Sequence, residues 1–280
     1  MAVIETLLIL LIVSILIGII GSLLGIGGGV FLIPIMTLAL GIDIKVAAAT
    51  SLVTIIVTSS TSAPKYLREG IVNVGLSMFL EIFTVTGAII GAVLVVYLSQ
   101  SLVEALFAIV IIYAAVYMMF GIDAKKEVHT PAPSGTSHWR FNGRYRNEST
   151  GEIKDYGVRN LSRGGAAGFI AGSLSGLIGV GGGIVKVPAM HIWMGVPMKA
   201  AVATSNFMIG VTAVASALVY LANGLVAPLI TAAAAIGIFI GATVGSRSMQ
   251  KITGRGLRTI FSAMLVIISM IMFLRAGGML

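Results

Sequence analysis

The chain has 280 residues, 58% of them hydrophobic and only 10% charged, with a formal net charge of +8 and a mean hydropathy of +1.06. Soluble domains carry about a quarter charged residues, so this composition excludes a water-soluble globule and makes lipid the solvent for much of the chain. The lack of cysteine excludes disulfides, thiolate metal sites and cysteine nucleophiles; three histidines without HExxH spacing argue against a histidine metal site, so neither metal nor cofactor is expected.

The first hydrophobic segment, 6–24, lacks a basic leader and an A-x-A-like cleavage site, and reads as a retained transmembrane segment rather than a signal peptide. The second, 27–41, is short. It opens within the glycine string Gly25, Gly27, Gly28 and Gly29 and contains Pro34; the first two segments of each half, short or glycine-broken, fit half-helices or a re-entrant pair as well as full spans. The third, 44–64, opens with Ala49-Thr50-Ser51, and Thr50, Thr54 and Thr58 share one helical face. The fourth, 71–98, carries Glu81 ten residues in; the fifth is 102–121.

A basic stretch, 122–163, follows, with eight Lys and Arg against five acids. Its Pro/Ser/Gly-rich run Thr130–Ser137 reads as a linker. Trp139 to Arg146 reads as a hairpin turning on Asn142-Gly143, a small cytoplasmic β-ribbon. The basic-aromatic mix is favoured as a loop beside anionic lipid over a nucleic-acid site.

The second half repeats the first. Its segments are 164–178, 180–194, 198–222, 225–248 and 257–275. Gly25 and Gly179 stand 154 positions apart (179 − 25), and at that offset Gly18 falls on Gly172, Pro34 on Pro188, Lys45 on Lys199 and Ala49-Thr50-Ser51 on Ala203-Thr204-Ser205, without a gap. Register held by so many Gly and Pro marks a duplication.

The basic loops reverse between the copies. Lys65 and Arg68 follow the third segment of the first half, whereas Arg247, Lys251, Arg255 and Arg258 follow the fourth segment of the second. By the positive-inside rule the repeats are inverted. The expected fold is therefore an all-α polytopic membrane protein of two inverted homologous repeats, about five segments each, with glycine-broken helices at the centre. The expected divisions are 1–121, 122–163 and 164–280, with termini outside, the central loop inside, and a multi-pass location in the cell (inner) membrane.

Glycine breaks at matching places in inverted halves point to a transporter's midplane site. The second break comprises Gly179, Gly181, Gly182 and Gly183. Broken ends expose N–H groups, which favour an anion; close helix packing is the alternative use of these glycines. Thr50, Ser51, Thr204, Ser205 and Asn206 supply hydroxyls and an amide that suit oxygen ligands. Lys186 stands between the second break and Pro188, where the first half has Leu32; it attracts an anion or snorkels to the interface. From residue 156 onward there is no carboxylate, which disfavours a cation site. Glu81 couples to protons or pairs with a base from another helix. No nucleophile–base pair stands out, so an intramembrane enzyme is set aside.

The doubled element GIGGGVFLIP…GIDIKVAAATS and GVGGGIVKVP…GVPMKAAVATSN resembles the sulfite exporter TauE/SafE family of membrane permeases, over nearly the whole chain. The resemblance implies transport of sulfite, thiosulfate or organosulfonates, in either direction, with the glycine breaks, the Thr-Ser pairs and Asn206 forming the cavity. Lys186 as a ligand is a reading of the residues alone. The expected partners are a small anion, membrane lipid and a coupling proton, with no nucleic acid; the oligomeric state is not legible. An anion channel and a permease for a non-sulfur organic anion are the alternatives.

Overall fold

A computed structural model describes residues 3–24, 28–120, 141–146, 153–248 and 255–276. The elements are α1 (Val3–Leu24), α2 (Gly29–Pro34), α3 (Ile44–Arg68), α4 (Val74–Tyr97), α5 (Gln100–Phe120), β1 (Gly143–Arg146), β2 (Ile153–Tyr156), α6 (Leu161–Ile178), α7 (Gly183–Pro188), α8 (Met198–Ala222), α9 (Pro228–Ser248) and α10 (Arg255–Ala276). Among the described residues five stretches are long and apolar enough to cross a bilayer: Ile4–Gly21, α3, α4, α8 and Pro228–Gly245. The apolar side chains Ile82, Ile89, Ile236 and Phe239 point outward from α4 and α9, as expected of helices solvated by lipid. The protein is a multi-pass helical membrane protein.

The two halves repeat in secondary structure as in sequence. α2 and α7, and α3 and α8, have the same bounds at the offset of 154 (183 − 29, 198 − 44). Each short helix ends at a proline, Pro34 or Pro188, which has no N–H to give to the carbonyl four residues back. Beyond it the chain widens into a π-helical turn, Ile35–Ala39 or Ala189–Trp193. The turns close alike: Ile42 N donates to Met36 O and Val196 N to Met190 O, both at 2.9 Å. Gly41 (φ 65°) and Gly195 (φ 74°) then reverse the chain in the left-handed region.

α3 and α8 are the most buried of these spans and pack against each other. α3 continues four residues past the expected end at 64. Pro64 and Ser60, whose carbonyl the proline leaves without its helical donor, are both exposed, so the break costs little there. Around this pair the contacts are reciprocal: α1 packs on α9 as α6 packs on α4, α3 meets α9 as α8 meets α4, and α5 meets α10. Glycine sets the closest seams. Gly87 and Gly91 of α4 lie against the α6 backbone at Phe169 and Ser173, and Gly172 and Gly176 return the contact at Thr84 and Ala88. In the equivalent pair, Gly18 of α1 faces Ile238 O, while Gly237 and Gly241 of α9 face Leu11 O and Ile15 O. Small residues let backbones approach where lipid supplies no hydrophobic force between helices.

The ribbon differs from the sequence expectation. β1 pairs antiparallel with β2, Gly143 opposite Tyr156 and Arg146 opposite Ile153. Asn142-Gly143 therefore leads into the first strand and is not a turn between paired strands; residues 147–152 lie outside the described residues. The reason is local: Asn142 Oδ1 accepts a hydrogen bond from Val158 N at 3.4 Å and so ties the strand's start to the far end of the ribbon. Arg144 Nε donates to Asp155 Oδ1 at 2.7 Å, and this bond holds the Asp155 carboxyl below its ordinary value. The pair is exposed and contributes little.

Candidate functional site

Both breaks place glycine where other residues strain. Gly28 (φ 72°) leads into α2, and Gly182 (φ 67°) leads into α7 after Gly179 (φ 75°) and Gly181 (φ 83°). A Cβ on Gly29 would overlap Ser51 Oγ and approach Gly179 O to 3.0 Å. One on Gly182 would lie 2.6 Å from Ala171 O and 3.3 Å from Lys186 Cε. The two breaks thus meet near the start of α3, and the second leaves room for the Lys186 side chain. Gly25 and Gly27 lie outside the described residues; Gly183 is buried as the first residue of α7.

The hydroxyls singled out from sequence divide into two kinds. Ser51 Oγ donates to Gly179 O at 2.7 Å, joining α3 to the opposite break. Thr50 and Thr231 share a hydrogen bond of 3.1 Å, and Thr204 Oγ1 accepts from Asn73 N at 3.0 Å. These three are occupied by structure. Thr54 and Thr58 bond back to Ser51 O and Thr54 O, the usual resting place of a hydroxyl in an apolar helix. Ser205 Oγ is fully buried and has no hydrogen-bond partner among the described residues. Buried Asn206 accepts from Ser59 Oγ at its backbone carbonyl, at 2.7 Å.

The charged residues come together across the halves. Lys186 is only 2% exposed, which sets aside the snorkelling alternative. Its Nζ donates to Thr212 Oγ1 at 3.1 Å, and that hydroxyl donates to Glu81 Oε1 at 2.8 Å. Glu81 Oε2 is buried with no hydrogen-bond partner among the described residues. A base on α7, a hydroxyl on α8 and an acid on α4 thus form one line, with the hydroxyl between the charges. The equivalent positions at the 154 offset are Leu32, Thr58 and Ala235, so the first half has no such line.

The family model described as Sulfite exporter TauE/SafE matches residues 10–272, spanning both halves and the ribbon. The chain belongs to the sulfite exporter TauE/SafE family. It is similar to the probable membrane transporter protein YunE of Bacillus subtilis, 28% identical over 93% of this chain and 94% of the relative. It is also similar to a probable membrane transporter protein of Methanocaldococcus jannaschii, 30% identical over 95% of this chain and 94% of the relative. No solved structure matches the chain.

Sequence reasoning missed several residues of this TauE/SafE chain. Thr212 was one threonine among many; the signal was that an acid and a base, both in apolar segments, must each find a polar partner. Asn73 caps α4 through Oδ1 to Leu76 N, and its Nδ2 donates to Phe141 O at 2.8 Å and to Tyr156 Oη at 3.3 Å, tying the ribbon to the helices. Arg275 donates to Thr37 O at 2.7 Å and lies 3.8 Å from Glu104, itself buried. His191 is buried, with Nδ1 2.9 Å from Val196 O.

Proposed function

We propose that this member is a secondary transporter of a small sulfur-containing anion, such as sulfite, thiosulfate or an organosulfonate, working by alternating access between two inverted halves. The observation that carries the reading is Lys186: a buried cation just beyond a glycine break, beside the unpartnered Ser205 hydroxyl's helix, in a half of the chain with no carboxylate of its own. A buried ammonium costs too much to retain without a use, and hydroxyl, amide and ammonium donors suit an oxyanion. Gly28, Gly29, Gly179, Gly181, Gly182 and Gly183 shape the backbone around the ligand, with Ser205, Asn206 and Lys186 as donors. The reciprocal helix contacts and the alternating basic loops support inversion.

Counterflow in proteoliposomes tests this. Labelled thiosulfate or a sulfonate should exchange saturably, and Lys186→Ala should cut the rate at least tenfold. Conductive flux that does not saturate would make the protein a channel. Exchange of carboxylates but of no sulfur anion would overturn the substrate class.

A further inference from the structure

The line from Lys186 to Glu81 deepens the transport reading, and the role inferred for it rests on that reading. Lys186 Nζ has three protons and uses one on Thr212; it makes no other hydrogen bond among the described residues. Glu81 uses Oε1 and leaves Oε2 without a hydrogen-bond partner among the described residues. Thr212 has a single hydroxyl proton and two acceptors in reach, Glu81 Oε1 at 2.8 Å and Met208 O at 3.0 Å. Its hydroxyl therefore has two resting positions, one that serves Glu81 and one that does not.

We infer that the substrate anion and the Glu81 carboxylate compete for the Lys186 cation, so that each anion bound carries one proton onto Glu81. Before binding, one acid balances one base in a poorly screened place. An anion at Lys186 makes two negative charges share one positive charge, and like charges at such a site cannot both persist. A proton taken from water onto the Glu81 carboxylate restores neutrality for a monovalent anion and lessens the excess negative charge for a divalent one. The Thr212 proton then turns to Met208 O, and Lys186 is left to the anion. Among the described residues no other group takes this role. Of the elements packed on α4, α6 carries Arg163 and α8 Lys199, both exposed at the helix starts, while Tyr220 at the far end of α8 donates to Leu177 O and the ribbon against the start of α4 carries the exposed Arg144–Asp155 pair. α7 carries only Lys186, and His191 in the turn beyond it is held against Val196 O. Anion and proton therefore move together, and a monovalent anion moves without net charge.

The test measures protons taken up per anion bound. Purified protein in weak buffer with a pH dye at pH 7.5 is titrated with methanesulfonate, whose charge does not change with pH, and with thiosulfate, while binding is followed in parallel. The expected result is about one proton per anion for wild type and none for Glu81→Gln. Binding by wild type without proton uptake overturns the inference and leaves the transport reading standing. Uptake that persists in Glu81→Gln also overturns it. Should Glu81→Gln fail to fold, infrared difference spectra of the wild type decide: a protonated-carboxyl band that appears with the anion is expected, and proton uptake without that band overturns the inference. Absence of binding by every sulfur anion removes both readings.

Discussion

Glycine at the breaks is the clearest residue-scale requirement, because two penalties combine at one position. Gly182 sits at φ 67° and its missing Cβ would crowd Ala171 O at 2.6 Å. Gly224 has nearly the same φ, 69°, with nothing within 4 Å. The left-handed backbone costs about 1–2 kcal/mol in either alanine variant, so the difference isolates the crowding. Gly182→Ala should unfold at a lower temperature than Gly224→Ala in detergent, by at least ~1 kcal/mol of added destabilisation. Equal melting temperatures would mean that the second break has room the geometry does not show. The string GVGGG was legible as a break, and Lys186 as an exception to Leu32. The split among hydroxyls was not. Ser51 and Ser205 are equivalent in sequence, yet Ser51 is spent on Gly179 O while Ser205 Oγ has no partner among the described residues. Only placement in three dimensions separates a structural hydroxyl from a free one.

At the scale of elements, hydrophobic runs and Gly/Pro punctuation give nearly every described helix, because in lipid each backbone group must be paired within its own segment. The widening after Pro34 and Pro188 was not legible, since it depends on how the chain recovers from a missing donor. The ribbon's turn was misplaced because Asn-Gly is a strong local signal that the contact from Val158 N to Asn142 overrides. The ends of α3 and α8 offer a test of inversion. Leu67 and Leu221 are equivalent, both exposed, and the chain has no native cysteine. Single cysteines at these positions should label from opposite faces of the membrane with an impermeant maleimide, Leu67→Cys from the cytoplasmic side, where Lys65 and Arg68 belong. Labelling of both from one face would contradict the inverted arrangement.

At the scale of the whole molecule, a symmetric frame holds an asymmetric centre. Helix contacts are reciprocal between halves, but Lys186, Thr212 and Glu81 have Leu32, Thr58 and Ala235 as their equivalents. Duplication explains the frame and was legible from the register of glycines. The pairing of Glu81 with Thr212 spans 131 positions and both halves, so no local pattern announces it. Transport of an anion requires that this centre bind one. The most direct measurement is the thermal shift of purified wild type and Lys186→Gln across sulfite, thiosulfate, sulfonates, sulfate and carboxylates. A ligand at a hundred times its Kd stabilises by about 2.7 kcal/mol. The expected result is a saturable rise in melting temperature with a sulfur oxyanion for wild type and little or none for Lys186→Gln. An equal rise in both proteins, or a response to carboxylates alone, would contradict it.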